Sequence, residues 1–521
     1  WNFIENKRYE QAVRVLIKDY SRIQDPKRNL ELIKKYRISE NLVKIVQTGI
    51  PSQKNNTSVY NQISNQINKA LESYKTEDYK EMTLLFETAL NYIKKHEREK
   101  IAAKFAILVG ALLSRKEATI SKGLYFLKRA RIQCQELGDN FLLTECLAEI
   151  SNAYWTQGLY KDTLDILSTE INLHEKQNNR LGVMFSEEKL SHFFRNLCRY
   201  TESQSWAQRH LNSAIRAADH PMKGFYFLDA NLNYAKTLIG LNSWEKAEKH
   251  ITFSKKTLNH LELSPQHLNK IKLEIHCMRG NIAVIRGKFD EAKFHFEKRN
   301  EYQPELLPQS PMFGKFLRAE ATLYRNQEKF SNAIHTLQPL FQNKDELNPL
   351  NVALLAELLA LYDHENESLK LLKRAVRVLK TWNSIHGLSR IYLSLGYVNF
   401  LLGDFDEAIK WYNESLEVVP SKTELNDLKI SLDAHTTLAY MSMEKSNFKL
   451  AETHCNLAEE SAIMSGSKAF ILDSYLMKAI LMMLTGKEIA GINAIRRIST
   501  EALDSEIAYV YRKSQIQLNR F

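Results

Sequence analysis

The stretch IYLSLGYVNFLLGDFDEAIKWY, from Ile391 to Tyr412, decides the fold. Its first half places apolar residues at three- and four-residue steps, Ile391, Leu395, Val398 and Leu402, which is the spacing of one helix face. Its second half does the same with Ile409, Tyr412 and, just beyond, Leu416. Between them Asp404-Phe405 follows Gly403, and Ala408 comes three residues after the aromatic. A short polar segment with glycine between two periodic runs is a turn, so the stretch reads as two helices joined by a tight connection. The aromatic plugs the wedge between the helices. The small residue lets the second helix approach the first, where bulk would push the pair apart.

Working outward, the same phrase recurs along the chain. It stands as Arg8-Tyr9 with Ala12, Leu159-Tyr160 with Thr163, Ser243-Trp244 with Ala247, Lys288-Phe289 with Ala292, Lys329-Phe330 with Ala333, and Asn447-Phe448 with Ala451. Tyr200 marks a weaker copy, and Tyr79 extends the series upstream. The aromatics are spaced by about 40 residues or near-doubles of that, the period of a two-helix repeat unit. The order Leu395-Gly396, Gly403, Phe405, Ala408, Tyr412, Pro420 resembles the tetratricopeptide repeat family. Gly280, Ala283, Gly287, Phe289, Ala292, Phe296, Pro304 is a second match, and Tyr154, Gly158, Tyr160 a partial third. The resemblance implies an all-α, right-handed superhelical solenoid of antiparallel helix pairs. The period exceeds the family's usual length of roughly 34 residues. It is similar to the long-repeat arrays that end multidomain signal-transduction ATPases and maltose-regulator-type activators. HEAT repeats share the longer period without needing the glycine-x-aromatic turn, and they are the rival fold.

The composition agrees with a helical array. Of 521 residues, 17 are glycine and 10 proline, about 3% and 2% against roughly 7% and 5% in average proteins, so turn chemistry for sheets is scarce. No run approaches the roughly 18 apolar residues of a membrane span; Phe105 to Leu113 is the most apolar stretch. Five cysteines, Cys134, Cys146, Cys198, Cys277 and Cys455, are scattered in helix-like apolar patterns. They read as small buried hydrophobes in a reducing compartment, which predicts the cytoplasm. The opening residues carry no signal-peptide pattern.

Four segments follow. Residues 1–50 form an N-terminal helical piece that starts mid-repeat, because the turn at Arg8-Tyr9 needs a helix before it; Trp1 to Lys7 supply only its end. Residues 51–58 are a polar loop, residues 59–488 the solenoid, and residues 489–521 closing helices. Pro304, Pro308 and Pro311 mark an extended inter-repeat connection.

Catalytic and cofactor signatures are missing from the sequence. The glycines are dispersed and no Gly-Lys-Ser/Thr occurs, so no phosphate loop is expected. The 15 histidines are scattered and no His-Glu-x-x-His exists, so no zinc hydrolase is expected. Glu187-Glu188 reads as solvated on an amphipathic helix. The chain is expected to be no enzyme and to need no cofactor or metal.

What remains is shape. In a solenoid the first helix of each pair builds the concave wall. The family resemblance places Asn152, Trp155, His192, Arg195, Lys236, Asn281, Arg318, Arg325, Arg390, Tyr397 and Tyr440 on that wall as a partner-binding groove. Glu145, Glu188, Asp229, Glu274 and Asp433 would share it and balance its charge. The formal charge is +11. Its densest stretch runs from Lys94 to Arg131 and includes Lys94, Lys95, Arg98, Arg115, Lys116, Lys128, Arg129 and Arg131, either solvated helix faces or an anionic contact. The expected function is a protein- or peptide-binding sensor array within a larger signalling protein, a context that in the resembling arrays includes antiviral defence. Alternatives are a stand-alone scaffold or adaptor and, less favoured, a nucleic-acid-binding repeat protein; no membrane contact is expected.

Overall fold

The computed structural model describes residues 79–95, 99–114 and 119–520, apart from 218–219, 221, 262, 264, 303–310, 342–347, 383, 419–424 and 426, together with isolated positions between 66 and 73. The segments 1–50 and 51–58, the turn at Arg8-Tyr9, Pro304, Pro308 and Pro420 lie outside the described residues. Among the described residues there is no strand. The chain is an all-α solenoid of tetratricopeptide-like helix pairs. It divides into two compact units, one ending at Gln177, with which Pro311 and Thr381–Ser384 group, and one from Asn178 onward.

The first unit contains α1 (Tyr79–Lys95), α2 (Glu99–Leu113), α3 (Ile120–Glu136), α4 (Asn140–Gln157) and α5 (Tyr160–Lys176). Its core joins Phe86, Phe105, Phe126, Leu127 and Ile150. The second unit runs through α6 (Arg180–Asn196), α7 (Tyr200–Arg216), α8 (Lys223–Gly240), α9 (Trp244–Leu258), α10 (Pro265–Ile285), α11 (Phe289–Glu297), the short α12 (Arg299–Tyr302), α13 (Pro311–Asn326) and α14 (Phe330–Leu337). It continues with α15 (Pro349–Leu361), α16 (Glu365–Trp382), α17 (Ile385–Leu401), α18 (Phe405–Glu417), α19 (Leu428–Glu444), α20 (Phe448–Ser465), α21 (Lys468–Leu484), α22 (Glu488–Asp504) and α23 (Ala508–Leu518).

The recurring phrase is the junction of each pair. Tyr160, Trp244, Phe289, Phe330, Phe405 and Phe448 each open a helix, and Tyr200 does so too. The residue two before each of them is left-handed: Gly158, Cys198, Asn242, Gly287, Glu328, Gly403 and Ser446. The amide after that residue then donates back five residues, as Leu159 N does to Tyr154 O and Asp404 N to Asn399 O, both at 3.0 Å. This is a Schellman closure, which satisfies a carbonyl the helix end would otherwise orphan. The small residue is buried every time, Ala247, Ala292, Ala333, Ala408 and Ala451 completely and Thr163 to 2% exposure. Gly396 and Gly280 serve the same close approach from the first helix. A methyl on Gly396 would lie 2.9 Å from the Tyr412 ring and one on Gly280 2.4 Å from Phe296.

The second unit also returns on itself, which no repeat-by-repeat reading contains. Helices α8 to α10 share one hydrophobic core with α21 to α23, joining Leu232, Trp244, Ile251 and Ile275 to Leu472, Leu476, Ile498 and Val510. Polar bonds fasten the same contact. Trp244 Nε1 donates to Ser505 O at 2.9 Å, and Asn242 Oδ1 accepts from Ser467 Oγ at 3.0 Å and Ala469 N at 2.9 Å. Arg286 pairs with Glu506 at 2.5 Å. Leu428 N donates to Leu197 O at 3.1 Å.

Candidate functional site

The first helices of successive pairs in the second unit are tied by polar side chains. Arg195 on α6 donates to Asn233 Oδ1 on α8 at 2.6 Å and to Thr237 Oγ1 at 3.5 Å. Lys236 on α8 meets Glu274 on α10 at 2.6 Å. Arg318 on α13 donates to Asn351 on α15 at 2.5 Å, and Arg325 meets Glu357 at 3.2 Å. Glu357 in turn accepts from Ser394 on α17 at 3.0 Å, and Arg390 on α17 meets Asp427, the N-cap of α19, at 3.2 Å. These residues stand 32 to 42 apart in the chain, one repeat, so each bond bridges neighbouring repeats and not one helix.

Burial sets their electrostatics. It pushes Arg195 down to about 10, against the pull of Glu188 and Glu274, and it pushes Arg318 to about 10 as well. At Arg325 burial also lowers the pKa, but Glu357 and Tyr397 outweigh it and the guanidinium is held above its ordinary value. The Arg325 guanidinium stands 5.9 Å from the centre of the Tyr397 ring. Five of the expected groove residues, Arg195, Lys236, Arg318, Arg325 and Arg390, are therefore cations already answered by a neighbouring repeat, and Tyr397 stacks on one of them. The three ion pairs among them, at Lys236, Arg325 and Arg390, are costly to strip of either partner.

The other expected residues make contacts of other kinds. His192 faces Asn196 at 3.1 Å on the exposed side of α6. Asn281 reaches only Cys277 Sγ at 3.9 Å. Tyr440 is exposed and packs edge-on against Phe400 at 5.7 Å. Asn152 and Trp155 belong to α4 of the first unit, where Trp155 lies 5.3 Å from the Tyr160 ring. In the basic stretch Lys94 and Lys95 fall in the last turn of α1, whereas Arg98, Arg115 and Lys116 lie outside the described residues. Lys128 covers the Tyr154 ring at 5.6 Å, and Arg129 bonds Tyr125 Oη at 2.9 Å. Arg131 is half-buried on the same helix, α3.

Two readings of the sequence are corrected here. Glu187 is not solvated; it is buried at 3% exposure and paired with Arg209 at 3.2 Å, because α7 packs over that face of α6. Cys198 is not within a helix but holds a left-handed turn at φ 56°. All five cysteines are free.

Glu188, His210 and Asp229, from α6, α7 and α8, bring potential metal-ligand atoms within 4.8 Å of one another. The amide of Asn233 decides against a metal. Its oxygen accepts from Arg195, so its nitrogen, 3.3 Å from His210 Nδ1, donates to the ring. The neutral ring then carries its proton on Nε2, and a metal-binding imidazole needs the opposite arrangement, a second-nitrogen proton given away to an acceptor. Through Asn233, His210 and Arg195 join a polar network with Ser191, Ser203 and Thr237.

No helix among the described residues is long and apolar enough to cross a membrane. Residues 389–421 match the family model of the tetratricopeptide repeat. No curated protein matches the sequence. Solved structures similar to the chain include a Rap protein complexed with competence and sporulation factor, 13% identical over 65% of this chain and 99% of that one, with a TM-score of 0.41. Others are the apo form of the quorum sensor NprR from B. thuringiensis, 15% identical over 69% and 99%, at 0.39, and yeast Tom70, 11% identical over 88% and 96%, at 0.42.

Proposed function

We propose that the second unit binds an extended peptide or protein segment along its first helices, and that the chain is the sensing part of a larger signalling protein. One observation carries the reading: a row of polar and aromatic side chains, at least one per repeat, held in place by inter-repeat bonds. Such a row is preorganised, so a ligand that meets it orders few side chains on binding. Three cations of that row, Lys236, Arg325 and Arg390, are paired with carboxylates, and Arg195 and Arg318 are held by asparagines, which weighs against nucleic acid, whose binding needs cations free to replace condensed counterions. The fastening of α8–α10 to α21–α23 favours a second reading, a rigid adaptor whose wall keeps one shape with and without its partner.

The test is selection from a displayed random-peptide library on the full chain, followed by titration of the selected peptide. Tyr397→Ala and Arg325→Ala are expected to weaken that peptide about tenfold or more while helicity stays intact. Selection of no peptide, or a peptide indifferent to both substitutions, sinks the groove reading. Binding of a single-stranded oligonucleotide that vanishes at high salt would move the function to nucleic acid.

A further inference from the structure

Three helix pairs of the second unit meet at one recurring position, where residues 19 apart in the chain face each other. Between α8 and α9, Asn231 Oδ1 lies 2.7 Å from His250 Nδ1. Between α10 and α11, His276 Nδ1 lies 3.1 Å from His295 Nδ1. Between α19 and α20, His435 Nδ1 lies 3.2 Å from His454 Nδ1, the rings stacked at 5.3 Å.

The chemistry of the two kinds of pair differs. Two neutral imidazoles share the contact when one Nδ1–H donates to the lone pair of the other. A second proton ends it, since both Nδ1 atoms then carry hydrogen and both rings are positive at contact distance. An asparagine oxygen accepts from histidine whether or not the ring is charged, so the Asn231–His250 contact survives acid.

We propose that the His276–His295 and His435–His454 pairs are acid-sensitive latches, which hold α10 to α11 and α19 to α20 near neutral pH and release them as the pairs take up protons.

The surroundings oppose protonation. Burial first, then His295, Arg279 and neighbouring lysines push His276 down to about 4. Burial, Arg279 and Lys255 do the same to His295. The charges facing this pair are cations: Lys255 from the end of α9, Arg279 from α10 and Lys298 from the end of α11. The nearby carboxylates are already engaged, Glu248 of α9 with Arg279 at 3.1 Å and Glu301 of α12 with Lys298. From α8 and α13 come Lys236 and Glu320, each engaged in its own pair with Glu274 and Arg299.

At the second pair burial and then His454 push His435 to about 4, and burial lowers His454. Lys478 of α21 is bonded to Glu459, and no carboxylate is among the groups that shift either ring. On α19 itself, Lys429 is paired with Asp433 at 2.5 Å. An unfolded histidine titrates near 6.5. Opened helices therefore bind protons that closed ones refuse, and opening becomes easier as pH falls from about 6.5 toward 4, with no effect above that range.

Hydrogen–deuterium exchange on the full chain, corrected for intrinsic rates, tests this at neutral pH and at about pH 5. Acid is expected to lower protection of α10, α11, α19 and α20 by about tenfold or more. Helices α8 and α9, with one lone histidine in the equivalent contact, should lose markedly less. The combined variant His276→Asn and His435→Asn recreates the Asn231–His250 arrangement and is expected to abolish the excess loss. Equal loss in all three helix pairs, no loss in any, or undiminished loss in the variant overturns the proposal. Should the variant fail to fold at neutral pH, the contrast between helix pairs within the unsubstituted chain decides by itself.

Discussion

Gly396 and Gly403 are seven residues apart and both glycine for unrelated reasons. Gly396 sits inside α17, where a methyl would strike the Tyr412 ring at 2.9 Å, and Tyr412 is 1% exposed with nowhere to go. Gly403 has open space around its Cα but a φ of +75°. Gly396→Ala should destabilise by about 1–2 kcal/mol, the steric cost exceeding the roughly 1 kcal/mol that alanine returns in a helix. Gly403→Ala should cost a similar ~1–2 kcal/mol through backbone strain alone. The substitutions separate in a second step measured by urea unfolding: Gly403→Asn recovers most of the loss, because asparagine tolerates the left-handed region, whereas Gly396→Asn makes matters worse. The glycine-aromatic-alanine phrase was legible because every one of its residues answers a local demand. Cys198, Glu328 and Ser446 hold the same left-handed position without glycine. Only their place two residues before an aromatic could have marked them in the sequence.

At the scale of elements, helix pairs follow from period and turn, but what each pair touches next does not. Trp244 illustrates the gap. In the sequence it is one more turn aromatic, whereas in the structure its indole also donates to Ser505 O, 261 residues away. Trp244→Phe keeps the plug and removes the donor. It should cost about 1–2 kcal/mol for the orphaned carbonyl and raise proteolytic cleavage within α22 and α23 more than within α17 and α18. Equal cleavage in both places would show that the indole bond does not fasten the C-terminal helices. The inter-repeat cations were partly legible in the same sense. The family pattern named Arg195, Lys236, Arg318, Arg325 and Arg390 and, among their partners, Glu274, but Asn233, Asn351, Glu357 and Asp427 come from stacking.

For the molecule as a whole, stability should depend on pH in a defined direction. His276, His295 and His435 are held near 4 by burial and like charge, and His386 is pushed to about 4 by burial as well. Each is therefore neutral when folded and charged when unfolded between about pH 4 and 6.5. Stability is complete above that window and is lost progressively as pH falls through it. The melting temperature of the full chain should drop between neutral pH and about pH 5, and by less in the combined His276→Asn and His435→Asn variant. A melting temperature flat across that range would mean the rings are protonated in the folded chain.

The sequence by itself determined the helix pairs, their turns, the buried small residues and, among the described residues, the absence of sheet, because periodicity, capping and steric fit are decided within a few tens of residues. It also named the cations along the first helices. The tertiary structure decided that those cations are bonded by the next repeat, that Glu187 is buried, that scattered histidines meet in pairs, and that α8–α10 pack against α21–α23. Each of these depends on how far one repeat rotates against the next. That rotation is the sum of many small packing choices, and no single stretch of sequence records it.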